Sequence, residues 1–226
     1  MTDKEHAKHY FSSVVGSEFV IDTYDILRNK NELEDYVLRK LPCVLKPTHS
    51  SGQAIVCINP RDPLDRGVLA KWFEMNRYDV AREQNYRYLA PKVIVEELFS
   101  EDGHTVPDDY KIFCFGGVPK MIQVDTDRFT IQSQSFYDIE WNRIPVVALY
   151  PGKDKDEPKP ILLDRMLELA RELSAPFPFV RVDMYATTTE IRIGELTFIP
   201  WSGLLPLQPA EAEITWGAFF DDKNGN

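Results

Sequence analysis

The feature that most constrains the fold of this chain is the segment Phe179–Tyr185, in which charged and apolar residues alternate. A period of two is typical of a β-strand, because successive side chains of a strand point to opposite faces of the sheet. The alternation places Arg181 and Asp183 on one face. The opposite face carries three apolar residues, Val180, Val182 and Met184. The segment therefore predicts a sheet that packs one face on a core and keeps charge on the other.

A second strand is predicted directly after this one, over residues 190–198, so the two form a hairpin. Asp183 and Glu195 can converge across this hairpin if the register, or a bulge, aligns their faces. Two carboxylates with the nearby hydroxyl of Thr197 suit Mg²⁺, which prefers oxygen ligands. The alternative is an ion pair of Arg181 with Asp183 or Glu195 that has only a structural role.

Apolar periodicity predicts the remaining elements. Helices are expected over residues 3–15, 31–40, 64–75 and 164–174, and strands over 43–46, 53–58, 92–97, 110–115 and 118–126. Asn31 is expected to cap the second helix, with Val37 facing inward. Gly116 and Gly117 predict a tight hairpin turn, because both tolerate positive φ. Antiparallel hairpins with separated helices favour an α+β fold.

The charge of the chain excludes whole classes of partner. Lys and Arg total 26 against 36 for Asp and Glu, a net charge of -10. Such a domain is not attracted to nucleic acid or an anionic membrane, so we expect no nucleic-acid partner and no membrane insertion. The three cysteines have no CxxC spacing, which favours reduced thiols and no zinc site. No signal peptide or membrane-length apolar run is apparent, so we expect a cytoplasmic protein.

A lysine at the end of a predicted strand opens the segment 46–52, K-P-T-H-S-S-G. An ammonium followed by small hydroxyl residues and glycine suits a phosphate, because the N–H groups of the loop can curl over the phosphate oxygens. The same pattern also fits an ordinary polar hairpin loop. Lys46 is therefore a candidate phosphate ligand, with the hairpin loop as the open alternative.

Two further strands carry charge where burial is expected. The segment 93–99 ends in Glu96 and Glu97, and such a strand end can offer backbone groups to an adenine edge and a carboxylate to ribose hydroxyls. A core strand with a solvated end is the alternative. Lys111 shares a strand face with Phe113 and Phe115, so it needs an anion or a carboxylate partner unless it extends to solvent.

These segments occur in an order that resembles the ATP-grasp superfamily, most closely the TupA-like branch associated with teichuronopeptide biosynthesis. The resemblance spans residues 4–217 and is carried by L-P-C-V-L-K-P-T-H-S-S-G, V-I-V-E-E-L, D-Y-K-I-F-C-F-G-G, F-V-R-V-D-M-Y and G-E-L-T-F-I-P-W-S-G. It implies two α+β lobes whose antiparallel sheets enclose ATP. The first expected part is a short N-terminal helical substrate lobe over residues 1–41. A small lobe with the phosphate loop and the hinge strand is expected over residues 42–99, and a large lobe with the metal and acceptor site over residues 100–226.

The resemblance also implies roles for single residues. Lys46 is similar to the lysine on the nucleotide phosphates, and Lys4 to an outer phosphate lysine. Lys111 resembles the cation beside the terminal phosphate, and Arg181 resembles the arginine that steadies the transferring phosphoryl group. The resemblance also implies a mobile covering loop of Ser50, Ser51 and Gly52 and an adenine-binding hinge of Glu96, Glu97 and Leu98. The expected Mg²⁺ ligands are Asp183, Glu195 and Thr197. The expected acceptor loop is formed by Pro200, Trp201, Ser202 and Gly203.

The chain departs from the wider superfamily pattern in three places. Many ATP-grasp enzymes have Glu-x-Asn at the metal, whereas this chain has Thr197, as the TupA-like branch does. Trp201 is bulky for a position expected to be small, which implies an altered acceptor pocket. The usual N-terminal extension is largely missing, so the first lobe is expected to be small and another subunit could complete the acceptor site. A homodimer is one option that the sequence leaves open.

The residues and the resemblance together predict a carboxylate–amine ligase that uses ATP and Mg²⁺ and forms an amide through an acylphosphate. Its substrates are expected to be small-molecule or glycan carboxylates and amines, in cell-surface polysaccharide or small-peptide biosynthesis. Two alternatives stay open. A small-molecule kinase would use the same nucleotide residues but stop after phosphoryl transfer. A nucleotide-binding subunit without catalysis is the other, although the intact set of charged residues argues against it.

Overall fold

The computed structural model describes residues 1–127 and 131–221. The chain forms two compact units: the first comprises Met1–Tyr10 and Val20–Val106, and the second comprises Phe11–Phe19 and Pro107–Asn226. Each unit contains a β-sheet with antiparallel pairing, together with helices, and the predicted α+β class is confirmed. The predicted division of the chain into three parts stays a prediction.

The first unit is built around a four-stranded sheet. Its strands are β1 (Thr23–Leu27), β2 (Cys43–Pro47), β3 (Ile55–Cys57) and β4 (Val93–Glu97), and they pair in the order β1-β4-β2-β3. Its helices are α1 (Lys4–Val14), which continues into the second unit, α2 (Asn31–Glu34), α3 (Arg66–Trp72) and α4 (Arg77–Ala81). A 3₁₀ turn covers Gln84–Tyr86. The core of this unit includes Leu45, Leu69 and Trp72, all buried.

The second helix is much shorter than the sequence predicts. It ends at Glu34 rather than residue 40, Asn31 is not its cap, and Val37 is 70% exposed instead of facing inward. A distant residue accounts for the early end, because the Arg66 guanidinium donates to the carbonyl oxygens of Leu33 and Tyr36 at 3.0 and 2.8 Å. Carbonyls at a helix end need partners, and here a side chain from α3 supplies them.

The second unit contains a six-stranded sheet among the residues described. Its strands are β5 (Asp109–Phe115), β6 (Val118–Thr126), β7 (Ser133–Tyr137), β8 (Arg143–Ile144), β9 (Phe179–Ala186) and β10 (Ile191–Thr197), in the order β10-β9-β5-β6-β7-β8. Its helices are α5 (Leu163–Ser174) and α6 (Glu211–Ala218), with 3₁₀ turns at Ser17–Phe19 and Pro200–Gly203. The predicted hairpin at Gly116 and Gly117 is present, with φ of +56° and +83°.

Helix α5 packs against β5, β6 and β9 and covers one face of this sheet. The apolar residues of β9, Val180, Val182 and Met184, are fully buried on that side, as their alternation predicts. The opposite face carries Arg181 and Asp183. The helix places Met166 and Leu169 in the core, so its apolar stripe completes the layer.

Several elements were not predicted: β1, β7, β8, α4 and α6. Strand β7 reads as polar because it contains Gln134, which lies on the charged face and donates to Asp125 Oδ1 at 3.1 Å. The cysteines are free and buried, as expected. Among residues 1–127 and 131–221, no helix has the length and apolar character needed to cross a membrane.

Candidate functional site

The centre of the second unit's charged face is Lys111 on β5. Its neighbours in register are Gln123 on β6 and Asp183 on β9. The ammonium contacts Asp109 and lies 3.4 Å from Asp125 Oδ2 and 3.6 Å from Asp183 Oδ2. Lys111 is therefore a buried cation among carboxylates, and the alternative that it extends to solvent is wrong.

Arg181 on β9 completes this group. Its Nε and Nη2 atoms donate to the two carboxylate oxygens of Asp183 at 2.7 and 2.6 Å, and Nη2 also donates to Thr197 Oγ1 at 3.1 Å. We call Lys111, Arg181, Asp109, Asp125 and Asp183 the acidic cluster. The Arg181–Asp183 ion pair, which was the structural alternative to a metal site, is thus present. A metal ion could bind Asp183 only by sharing its carboxylate with Arg181.

Glu195 lies opposite Asp183 across the β9–β10 hairpin because of a register shift between Ile193 and Glu195. In a regular ladder Gly194 would face Asp183, and Glu195 would turn to the side that carries Val182. The extra residue of the bulge instead moves Glu195 to the charged face. The expected convergence of the two acids is therefore present in the backbone register, and the device that produces it is the bulge at Gly194.

The charges of the acidic cluster are not balanced. Burial raises the pKa of Asp183 to about 6, and the nearby Arg181 and Lys111 offset only part of that effect. Burial alone would lower the pKa of Lys111, but Asp109 and Asp183 raise it above its usual range. An oxygen-rich cluster with an excess of carboxylates fits Mg²⁺ in both ligand type and charge. Asp183 and Glu195 are the residues that would hold it, and Thr197 stays a predicted ligand.

A second group of buried charges lies in the first unit and involves Lys46 on β2. Its ammonium lies 2.9 Å from Glu96 Oε2 on β4, and Lys8 of α1 lies 2.6 Å from Glu96 Oε1. We call these three residues the cationic cluster. Burial by itself raises the pKa of Glu96, but Lys46 and Lys8 more than reverse this and lower it to about 2. The carboxylate is therefore ionised at neutral pH, and within these three residues two ammonium groups share one carboxylate, an arrangement that suits a phosphate.

The loop after Lys46 is held inside the first unit. Lys4 Nζ donates to the Ser50 carbonyl at 2.7 Å, and the Thr48 hydroxyl donates to Asp3 at 2.8 Å. Ser50 is fully buried, and its Oγ has no hydrogen-bond partner in the part of the chain that the structure describes. This hydroxyl reaches a phosphate only if the loop opens. Ser51 is half-buried, and Gly52 is exposed at φ +83°, a conformation that favours glycine.

The predicted hinge residues divide into two kinds. Glu96 points into the cationic cluster, so its carboxylate is committed to lysines rather than to a ribose. The N–H groups of Glu97 and Leu98 donate to the carbonyl oxygens of Asp22 and Pro42 at 2.9 and 3.3 Å. An adenine edge that uses either N–H would have to displace one of these bonds. The hinge therefore stays a prediction.

The predicted acceptor loop is a left-handed turn. Trp201, Ser202 and Gly203 have φ of +51°, +59° and +67°. Such values are rare for a bulky residue and cost of order 1–3 kcal/mol each where they occur without glycine, and they concentrate at functional sites. The Trp201 ring lies 5.9 Å from the ring of Phe113. Trp201 and Gly203 line a cavity of about 480 Å³ in the second unit.

The sequence matches a model of one protein family, described as TupA-like ATPgrasp, over residues 1–221. The chain belongs to the TupA-like ATP-grasp family. No curated protein matches the sequence.

Two solved D-alanine–D-alanine ligases have the same fold as this chain. The D-alanine–D-alanine ligase of Bacillus anthracis is 13% identical over 98% of this chain and 64% of its own, with a TM-score of 0.53. The enzyme of the same name from Helicobacter pylori is 15% identical over 89% of this chain and 52% of its own, with a TM-score of 0.50. The ATP-grasp ligase PsnB, complexed with a phosphomimetic variant of its minimal precursor, Mg and ADP, is 11% identical over 87% and 50%, with a TM-score of 0.45.

This chain spans only part of the length of these solved relatives, 64%, 52% and 50% in the order given. At such identity the comparison establishes the fold and not the substrates. The ATP-grasp fold expected from the sequence is confirmed.

Three charged residues of the two clusters were not predicted: Lys8, Asp109 and Asp125. Lys8 had a signal, because helical spacing places it with the buried residues Phe11 and Val15. Asp109 also had one, since it lies two residues before Lys111 and so shares its strand face. Asp125 became a neighbour only through the β5–β6 register.

Proposed function

We propose that this chain is a carboxylate–amine ligase that depends on ATP and Mg²⁺ and forms an amide through an acylphosphate. The observation that carries the proposal is that Lys111, Arg181, Asp183 and Glu195 lie together on one face of the second unit's sheet. Phosphoryl transfer requires such a set, because it depends on positioning and on neutralising spread-out negative charge. Membership of the TupA-like ATP-grasp family supports the nucleotide.

The proposed reaction has two steps. A carboxylate oxygen of the donor attacks the γ-phosphorus of ATP, the new O–P bond forms, and the bond to the bridging oxygen of ADP breaks. The nitrogen of the unprotonated amine then attacks the carbonyl carbon of the acylphosphate. The C–N bond forms, the C–O bond to the phosphate breaks, inorganic phosphate leaves, and the proton of the nitrogen passes to solvent.

Arg181 and Lys111 supply the positive charge in this proposal. Arg181 is held by Asp183 and Thr197, so its guanidinium can meet developing charge without first reorganising. Lys111 is oriented by three carboxylates and adds a second fixed charge. Mg²⁺ bound at Asp183 and Glu195 would neutralise polyphosphate charge and orient the transferring group.

The first unit contributes Lys46 as the proposed phosphate lysine. Glu96 contacts Lys46 and Lys8 on its two carboxylate oxygens, which fixes the Lys46 ammonium at the end of a buried ion pair. Its side chain is only 17% exposed, so little rotamer freedom is left to lose when an anion binds. Ser50, Ser51 and Gly52 are the proposed covering loop, and Glu97 and Leu98 the proposed adenine hinge.

The substrates belong to the same proposal. Small-molecule or glycan carboxylates and amines are the expected classes, and the resemblance to the TupA-like branch suggests attachment of an amino acid to a cell-surface polymer or formation of a small peptide. The oligomeric state and the cytoplasmic location expected from the sequence stay predictions.

An ADP-release screen over amino acids and uronic acids, with Mg²⁺ present, tests the proposed function. Hits are then examined by mass spectrometry for an amide and for inorganic phosphate. We expect ADP, phosphate and amide in equal amounts. A stable phosphorylated product without an amide would identify a kinase instead, and tight Mg·ATP binding without turnover for any substrate pair would identify a nucleotide-binding subunit.

A further inference from the structure

The aromatic cavity of the second unit is the feature that the reaction above leaves unused. Its volume, about 480 Å³, is in the range of sites that bind small molecules. The cavity wall is formed by aromatic residues of strands β5 and β9, by the predicted acceptor loop and by helix α6. The aromatic members are Phe113, Phe115, Phe179, Trp201, Trp216 and Phe220.

Phe113 connects this cavity to the acidic cluster. Its ring centroid lies 5.8 Å from the Cζ atom of Arg181, and the same ring lies 5.8 Å from the ring of Trp216 and 5.9 Å from that of Trp201. A group seated against Phe113 in the cavity is therefore one aromatic ring away from the guanidinium proposed to meet the transferring phosphoryl group. This adjacency makes the cavity a candidate site for one of the two organic substrates.

The charges around the cavity distinguish the two substrates. Among the described residues that line it there is no lysine and no arginine, and Glu213 is the one charged side chain. Glu213 Oε1 accepts a hydrogen bond from the N–H of Leu207 at 2.9 Å. A carboxylate ligand would lose its hydration here without gaining a cation. An ammonium would gain both Glu213 and aromatic ring faces.

We propose that this cavity binds the amine substrate, and that this substrate is a primary amine with an aromatic side chain. The inference rests on the proposed function for its catalytic meaning, although the binding itself does not require ATP. Aromatic rings pack on one another at the centroid distances found between Phe113 and its neighbours. The described residues of the cavity wall offer no cation to a uronic acid, so a sugar acid would have to bind elsewhere, as the carboxylate substrate.

Gly217 is the position at which a side chain can be added to the cavity wall without a clash at Cβ. Gly217 lines the cavity within α6, and a Cβ built on it meets no atom within 4 Å. Gly217→Leu therefore places a side chain in open space and also raises helix propensity. Ala218→Leu is the matched control, because Ala218 is exposed on the same helix and is not part of the cavity wall.

The binding test uses 2-phenylethylamine, followed by tryptophan fluorescence and checked by calorimetry. Ethylamine keeps the ammonium but lacks the phenyl ring, so it measures the contribution of the ring. The probe 3-phenylpropanoate keeps the ring but carries a carboxylate, so it measures the contribution of the positive charge. We expect 2-phenylethylamine to bind about 10-fold or more tightly than either, as an aromatic anchor with a charge partner implies. Gly217→Leu is expected to weaken it by about 10-fold and Ala218→Leu by less than about 2-fold. Glu213→Gln, which retains the acceptor for Leu207, is expected to remove most of the preference over 3-phenylpropanoate.

Equal binding of the three probes, or unchanged binding in Gly217→Leu, would overturn the inference. Measurements of ADP release distinguish a failure of this inference from a failure of the proposed ligase function. Turnover with aliphatic amines only, unaffected by Gly217→Leu, would overturn the aromatic assignment and leave the ligase intact. Aromatic-amine binding that Gly217→Leu abolishes, in a protein that never turns over ATP, would support the cavity as an amine site and count against the ligase.

Discussion

The first unit holds one carboxylate between two ammonium groups, whereas the second holds three carboxylates around one ammonium and one guanidinium. The pKa values of their central acids move in opposite directions. Lys46 and Lys8 overcome the burial of Glu96 and lower its pKa to about 2. In the acidic cluster burial prevails, and the pKa of Asp183 rises to about 6.

This difference shows how two buried groups of similar chemistry can prefer opposite ligands. Burial raises the free energy of any ionised carboxylate. Whether neighbouring cations of the protein offset this cost depends on the balance of the charges around the carboxylate. In the cationic cluster this cost is met, because two ammonium groups contact one carboxylate. In the acidic cluster it is not, and a bound cation would complete it.

The sharpest way to break this comparison is to remove one charge from the acidic cluster. Asp183→Asn keeps the shape and an acceptor for Arg181 but lowers the negative charge offered to Mg²⁺. We expect ADP release to fall by about 10³-fold or more with the fold retained, as for loss of a central electrostatic group. Circular dichroism checks the fold, and Asp154→Asn at an exposed position is the matched control. Full activity in Asp183→Asn would contradict the metal assignment.

In the cationic cluster, Glu96→Gln removes the buried carboxylate that Lys8 and Lys46 share. We expect the free energy of unfolding to fall by about 3 kcal/mol at pH 7. Because the folded pKa of Glu96 is below its unfolded value, its contribution is complete above about pH 5 and is lost as the pH falls toward 2. Urea unfolding should therefore give a wild-type advantage that shrinks over this range. An advantage that is constant with pH would contradict the ion-pair assignment.

The arginine of the acidic cluster provides the next smaller effect. Arg181→Ala is expected to lower kcat by about 10²-fold, because the guanidinium is proposed to meet charge that develops in the transition state. Arg181→Lys keeps the charge but cannot form the two-point contact with Asp183, so it should recover only part of the loss. Steady-state kinetics of both variants decide the point. An unchanged kcat would leave the ion pair with a structural role only.

Lys46 is expected to give the smallest change of the four. Lys46→Ala should weaken ATP binding by about 10-fold, because one point charge on a phosphate is lost and Lys8 still faces Glu96. The measurement is calorimetric titration with Mg·ATP, with Lys155→Ala in an exposed loop as the control. Tighter or equal binding in Lys46→Ala would place the phosphates away from the cationic cluster.

Much of this architecture follows from local pattern. The alternation of β9 and the apolar stripe of α5 predicted both elements, because each buries one face regardless of its partner. Strand β7 was missed, since its polar residue Gln134 is buried with its amide bonded to Asp125 on β6 and to the N–H of Leu149. Helix α2 was predicted too long because Arg66, more than 30 residues away in sequence, ends it.

The candidate site divides in the same way. Arg181 and Asp183 were predicted from the alternation of a single strand. The approach of Glu195 to Asp183 was predicted from a single hairpin. The commitment of Glu96 to two lysines was not readable, because it depends on α1 reaching β4. The burial of Ser50 also follows from a distant residue, since Lys4 holds its carbonyl.

Gly194 is the residue on which the pairing of the two acids depends, although it has no side chain. A Cβ there would meet the Tyr185 ring at 3.0 Å and the Asp183 carbonyl oxygen at 3.4 Å, so a larger residue would push on the bulge from both sides. A strand relaxed to an even pleat would turn Glu195 toward Val182 and the helix behind it. A substitution at this glycine would thus separate the two proposed metal ligands although every charged residue of the chain stays the same.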